Sequence, residues 1–223
     1  SSASFTTPSL SVTTTYYAEA RNTTTTCISA TRTAVVATVN TVPAAPGGTG
    51  NARCGTGTVA ISATPAGGQT IDWYAAASGG TALQSGSTSF TTPSISVTTT
   101  YYAEARNTTT TCISATRTAV VATVNTVPAA PGGTGNARCG TGTVAISATP
   151  GAGETIDWYA AASGGTALQN SSASFTTPSL SVTTTYYEKA MNTTRTCISA
   201  TRTAVMATVN TVPAAPGGPG NAR

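Results

Sequence analysis

Residues 90–107 read FTTPSISVTTTYYAEARN, and their spacing decides the fold. From Thr99 to Arg106, Tyr101, Ala103 and Ala105 alternate with Tyr102, Glu104 and Arg106. A period of two belongs to a half-buried β-strand, with the first set facing in and the second facing out. Phe90-Thr91-Thr92-Pro93 reads as an edge segment, because proline has no N–H to give a sheet ladder. Ile95 and Val97 continue the alternation between the two.

The same pattern extends outward on both sides. Thr58-Val59-Ala60-Ile61-Ser62-Ala63 places Val59, Ile61 and Ala63 on one face. After the turn Pro65-Ala66-Gly67-Gly68, the run Thr70-Ile71-Asp72-Trp73-Tyr74 turns Ile71 and Trp73 inward and Asp72 and Tyr74 outward. Ser78-Gly79-Gly80 leads into a short strand around Thr81-Ala82-Leu83. Thr116 to Val124 forms the last strand, with Val120, Ala122 and Val124 facing in. About seven strands with frequent turns and no helical period describe an antiparallel β-sandwich. Trp73, Tyr101 and their counterparts Trp158 and Tyr186 are its expected core.

The pattern recurs every 85 residues: Phe5, Phe90 and Phe175 share a phase, as do Cys27, Cys112 and Cys197. Comparing 53–137 with 138–222, about 13 positions differ. Such fidelity describes an array of nearly interchangeable modules. The phase divides the chain into a partial repeat over 1–52, holding only C-terminal strands and connector, and complete repeats over 53–137 and 138–223. The expectation is a window on a longer linear array, in which some other segment completes the first copy. Thr126 to Asn136 connects the repeats, stiffened by Pro128 and Pro131 and loosened by glycines. Its later half could lie along the next sandwich as a first strand. One substitution resists the face assignment: Ala103, read as buried, becomes Glu188 in the next copy. Arg106→Met191 and Val121→Met206 fall at positions read as exposed.

Charged residues make up 7 % of the chain, against roughly 25 % in an ordinary soluble domain. The net charge of +4 arises from ten Lys/Arg and six Asp/Glu scattered singly. Nucleic-acid binding would need a basic stripe with interleaved aromatics, so no nucleic-acid partner is expected. No apolar run reaches the ~18 residues of a membrane span, and no signal peptide is recognised, as in a mature or excised piece. Five cysteines fall in two phases of the repeat. Pairing within repeats gives Cys54–Cys112 and Cys139–Cys197, 58 apart, and leaves Cys27 unpaired within the chain. Pairing across the connector gives Cys27–Cys54 and Cys112–Cys139, 27 apart, and leaves Cys197. The first is favoured because each module then carries its own staple, worth about 4 kcal/mol for a loop of that length. Either pairing implies an oxidising compartment.

The runs CGTGTVAISATP at 54–65, IDWYAAASGG at 71–80, FTTPSISVTTTYYAEARN at 90–107 and RTAVVATVN at 117–125 resemble one family. It is the bacterial Ig-like repeat of large secreted surface proteins of gliding and related Bacteroidota. The resemblance covers essentially every complete repeat. It implies tandem immunoglobulin-like sandwiches, secretion to the cell surface, a spacer or adhesin role and no enzymatic activity.

With no histidine in the chain and no activating base beside the many Ser and Thr, no catalytic residues are expected. Zinc lacks ligands, calcium finds only Asp72 and Glu104 in one repeat, and no cofactor is expected. Trp73 and Tyr74 could stack on a sugar but are better read as a core residue with a surface neighbour. Thr23, Thr24, Thr108, Thr109, Thr193 and Thr194, in loops opened by Asn22, Asn107 and Asn192, are candidate glycan attachment points on what is otherwise a solvated hairpin loop. Asn170 also fits the N-x-S/T pattern. The leading functional expectation is a structural segment of an extracellular fibre or adhesin stalk, whose partners are further copies of the repeat. The alternatives are a multivalent binder using Tyr74, Tyr102 and Arg106 on a surface glycan, and a passive spacer in a larger secreted enzyme.

Overall fold

The computed structural model describes residues 2–218. Sixteen strands and no α-helix occur among the described residues. They are β1 (Thr14–Ala18), β2 (Thr33–Ala37), β3 (Gly47–Thr49), β4 (Asn51–Cys54), β5 (Ala60–Thr64), β6 (Gln69–Tyr74), β7 (Ser89–Thr91), β8 (Thr99–Asn107) and β9 (Thr118–Asn125). The sequence repeats, and so do the strands: β10 (Gly132–Thr134), β11 (Asn136–Cys139), β12 (Ala145–Thr149), β13 (Glu154–Tyr159), β14 (Ser174–Thr176), β15 (Thr184–Asn192) and β16 (Thr203–Asn210).

By packing, the chain forms two compact units. One takes Asn51 and the residues before it together with Thr58–Thr123; the other takes Ala52–Gly57 together with Val124 and the residues after it. In the second unit, a three-stranded sheet β10-β12-β14 faces a four-stranded sheet β11-β16-β15-β13. Every pairing is antiparallel except β11 with β16, which run parallel. The sheet orders β3-β5-β7 and β4-β9-β8-β6 repeat this plan. Tandem immunoglobulin-like β-sandwiches are thus the architecture. The cut at 52/53 suggested by sequence phase falls inside β4, and β3 before it already pairs with β5.

The alternation read from sequence produces the core. Val59, Ile61, Ala63, Ile71, Trp73, Phe90, Tyr101, Ala103, Ala105, Val120 and Ala122 form one buried cluster, with Ile95 packed against it. Trp73 stacks on Phe90 at 5.7 Å between centroids, and Phe90 tilts against Tyr101 at 5.1 Å. The counterparts Trp158, Phe175 and Tyr186 do the same at 5.8 and 5.1 Å. Each large apolar side chain so buried contributes about 1.5–3 kcal/mol. The chain passes from β10 in one sheet to β11 in the other at Gly135, where a Cβ would stand 2.5 Å from the Met206 carbonyl oxygen. Only glycine fits there.

Three details differ from the sequence reading. Asp72 and Glu104 point to the outer face but are buried, because long arginine side chains lie over them. Thr81-Ala82-Leu83 is not a strand; that stretch makes one isolated bridge, Trp73 to Gln84, and Leu83 is exposed. Val124 is half-buried. The register of β15 is as read, with Trp158 opposite Glu188, so the Ala103→Glu188 change places a carboxyl group in the core.

The β1-β2 hairpin lies in the first unit, with Tyr16 opposite Val35. Its inward-type residues are open: Phe5 is 70 % exposed where Phe90 is 6 % exposed. In the other two copies, where β8-β9 and β15-β16 correspond to β1-β2, the three-stranded sheets β3-β5-β7 and β10-β12-β14 cover this face.

Candidate functional site

Three features could carry function: the outer face of the four-stranded sheet, the Asn-Thr loops and the cysteines. On the outer face of β6 and β8, in the first unit, Arg106 grips Asp72 through Nε at 2.7 Å and a terminal nitrogen at 3.1 Å. This bond holds the Asp72 carboxyl below its ordinary range, burial opposing it. Beside it, the Arg117 guanidinium lies 3.3 Å from the Tyr74 ring centroid. Its Nε donates to Glu104 at 3.1 Å, and a terminal nitrogen donates to the Ala76 and Gly79 carbonyls at 2.8 and 2.7 Å. The Tyr74 hydroxyl donates to the other Glu104 oxygen at 2.9 Å; burial and this carboxylate both push the phenol up. A guanidinium over a ring contributes about 0.5–2 kcal/mol. Tyr74 and Arg106, considered as free recognition groups, are therefore engaged inside the module, and Tyr102 is half-buried. The chemistry of this face is structural bracing.

The second unit keeps part of the brace. Arg202 lies 3.3 Å over Tyr159 and reaches the Ala161 and Gly164 carbonyls. Lys189 stands where Glu104 stood, and Met191 where Arg106 stood. Glu188 is 0 % exposed, and neither carboxylate oxygen has a hydrogen-bond partner. Burial raises its pKa from the ordinary 4.5 to about 7. Gly133 makes room for it: a Cβ there would lie 2.6 Å from a Glu188 oxygen and 2.1 Å from Val205.

The Asn-Thr loops have one geometry. The Asn107 side-chain oxygen accepts from the Thr109 and Thr110 amides at 2.9 and 2.8 Å, and Thr111 adopts φ 59°. Asn22 and Asn192 do the same for their loops. Thr23, Thr24, Thr108, Thr109, Thr193 and Thr194 are all exposed. The Thr108 and Thr193 hydroxyls donate to the Gly68 and Gly153 carbonyls at 3.0 Å.

The cysteines depart most from expectation. Cys54 is bonded to Cys197, 143 residues away, with Cα atoms 5.6 Å apart. Cys112 and Cys139, expected in bridges, are free, as is Cys27. Strand geometry rules out the in-repeat pair. Cys139 lies opposite Asn210, the last residue of β16, while Cys197 lies in the loop before β16 begins at Thr203. A strand of eight residues separates them by about 26 Å, and a disulfide requires Cα atoms within about 7 Å. Pairing across the connector is equally absent.

The bond sits in a small built locus of the second unit. The Gly55 amide donates to the Asn125 carbonyl at 2.9 Å. Arg195 donates a short hydrogen bond to the Asn125 side-chain oxygen. Cys197 is 1 % exposed and Asn125 9 % exposed. Sequence reading missed this group, although Arg195 was visible as a departure from Thr110; nothing in the sequence singled out Asn125. Among the described residues, no three of the Cys, Asp and Glu side chains gather as metal ligands would.

The profile of one protein family, described as "Ig-like domain CHU_C associated", matches residues 1–40, 43–125 and 128–211. No curated protein matches the chain in sequence. Solved structures with a similar fold include the FN1–FN3 domains of chicken CNTN1, at 12 % identity over 87 % of this chain and 77 % of that one, TM-score 0.39. The fibronectin(III)-like modules of Clostridium thermocellum CbhA match at 15 % identity over 76 % and 92 %, TM-score 0.41. Extracellular domains 3–5 of Drosophila OTK match at 13 % over 82 % and 69 %, TM-score 0.38.

Proposed function

Because the chain belongs to the family of CHU_C-associated Ig-like domains, we propose that it serves as a structural, non-catalytic segment of a long extracellular fibre or cell-surface adhesin stalk. One observation carries this reading most: the Cys54–Cys197 bond joins cysteines of successive sequence repeats rather than two of one repeat. A crosslink of that kind serves continuity along an array. It also needs an oxidising compartment, which supports a secreted or surface location. The polar groups of the outer face add support, since they are spent on internal bracing.

The partners in this reading are further copies of the repeat, in the same or neighbouring chains, and the arrays can associate into filaments. The exposed threonines of the Asn-Thr loops are candidate carriers of O-linked sugar on the stalk. Labelling intact and permeabilised cells with an antibody against the chain tests the proposal. Signal on intact cells or in the medium is expected; signal only after permeabilisation overturns it. Saturable binding on a glycan array would instead favour the multivalent binder, and a catalytic domain in the same polypeptide would favour the passive spacer.

A further inference from the structure

We propose that Cys139 is a covalent docking site for a further copy of this repeat, bonding the cysteine that stands in that copy where Cys197 stands here, so that disulfides run as a ladder from each repeat to the next. The proposal rests on the array reading above, because it needs a following copy.

The structure holds two equivalent positions of the repeat, one filled and one open. At the filled position, the Gly55 amide donates to the Asn125 carbonyl at 2.9 Å, Arg53 Nε donates to the Gly55 carbonyl at 3.1 Å, and a Cβ on Gly55 would stand 3.0 Å from Val127. At the open position, the Gly140 amide donates to the Asn210 carbonyl at 2.9 Å, Arg138 Nε donates to the Gly140 carbonyl at 3.1 Å, and a Cβ on Gly140 would stand 3.0 Å from Val212. The backbone scaffold is therefore preformed and identical. What differs is cover. Asn125 is buried and Val127 half-buried, whereas Asn210 is exposed and Val212 is 65 % exposed. The cover at the filled position comes from the loop carrying Arg195 and Cys197, which supplies the hydrogen bond to Asn125 and the sulfur for Cys54.

The loop that docks is as regular as the surface that receives it. Asn107 and Asn192 both hold it through two amides two and three residues on, and Asn107 and Asn192 each donate to the following cysteine's carbonyl at 2.8 Å. Only Cys197 is fully buried; Cys112 is half-buried and Cys27 exposed. Thus Cys139 presents the receiving half of the locus, and Cys112 carries the docking half in the same backbone setting. The 85-residue period converts one observed bond into a rule. A cysteine in the Cys54 phase pairs with the one in the Cys197 phase of the following repeat, 143 residues on.

The chemistry is thiol–disulfide exchange with a small-molecule disulfide such as oxidised glutathione. The Cys139 thiolate attacks one sulfur of the oxidant, breaking its S–S bond and releasing one thiolate. The second cysteine's thiolate then displaces the remaining half, forming the protein disulfide. Two protein thiols give up two electrons and two protons, and the oxidant leaves as two thiols.

The test is the full chain extended by one more copy of residues 139–223, which keeps the 85-residue phase, refolded with oxidised glutathione and alkylated without reduction. The extension raises the five cysteines of the chain to seven. The ladder predicts two bonds and three alkylated thiols by intact mass. A single alkylated thiol means three bonds, as pairing within repeats or across the connectors would give, and overturns the proposal. Five means that Cys54–Cys197 forms while the open position stays open, which overturns the ladder but leaves the array reading to the surface-labelling experiment. Seven removes the template bond and overturns it as well. In the extended chain, Cys139→Ser must leave four alkylated thiols; any other number places the second bond elsewhere.

Discussion

Pulling the chain by its two ends reads the disulfide directly as a length. The perturbation is reduction of Cys54–Cys197, or Cys54→Ser. The bond closes a span of 143 residues, of 223 in the chain. A fully stretched residue adds about 3.5 Å, so the closed span hides about 500 Å of contour length, and the 5.6 Å between the bonded Cα atoms is negligible against it. The oxidised chain should thus extend only through the roughly 80 residues outside the loop, to about 280 Å, whatever unfolds inside. With reductant, the same molecule should reach about 780 Å. The assay is a single-molecule optical trap with handles at both termini, cycled with and without reductant. The reasoning is refuted if the oxidised chain reaches the reduced length. It is equally refuted by an intermediate gain on reduction: about 400 Å is the signature of two 58-residue loops within repeats, and about 200 Å that of two 27-residue loops across the connector.

Other consequences follow from single residues. Glu188 keeps its proton to about pH 7 in the fold but loses it near 4.5 when unfolded. Below 4.5 both states are protonated and the group costs nothing through ionisation; as pH rises to 7, stability falls by about 3 kcal/mol. Glu188→Ala, the residue found at position 103, should flatten that slope in urea unfolding of the second unit, and an unchanged slope would count against the buried carboxyl. Asp72 has the opposite sign. Its depressed pKa gives stability that is present above the unfolded value of 3.8 and is lost as pH falls through the lower folded one. Asp72→Ala should therefore cost the first unit about 1–3 kcal/mol at neutral pH and less in acid. Trp73→Ala and Trp158→Ala should each cost about 3–5 kcal/mol in the unit that holds the residue, read by chemical denaturation. Gly133→Ala should destabilise the second unit, because its Cβ would meet Val205 and Glu188, and the double change with Glu188→Ala should recover part of the loss.

The sequence showed what depends on alternation and hid what depends on which end of a strand a residue occupies. Val59, Ile61, Ile71, Trp73 and Tyr101 were readable as core because a period of two leaves them one face. The same logic misjudged Asp72 and Glu104, since an outward direction says nothing of the arginine that folds back over it. Thr81-Ala82-Leu83 failed as a strand because it is confined between Gly79-Gly80 and Gly86, with room for one bridge only. Glu188 looked like a register error and proved to be a real buried carboxyl, for which Gly133 leaves the space. The disulfide was least legible. Spacing along the chain favoured 58 residues, but β9 and β16 each carry the chain from one end of a sandwich to the other between the two cysteine phases. The partner could be identified only once three-dimensional structure placed Cys54, Asn125 and Arg195 together.

Non-reducing tryptic mapping of the chain shows whether the staple joins successive repeats. The peptide Cys54–Arg106 should appear disulfide-linked to Thr196–Arg202, with Asn107–Arg117 recovered as a free thiol. Cys54–Arg106 linked to Asn107–Arg117 would contradict it.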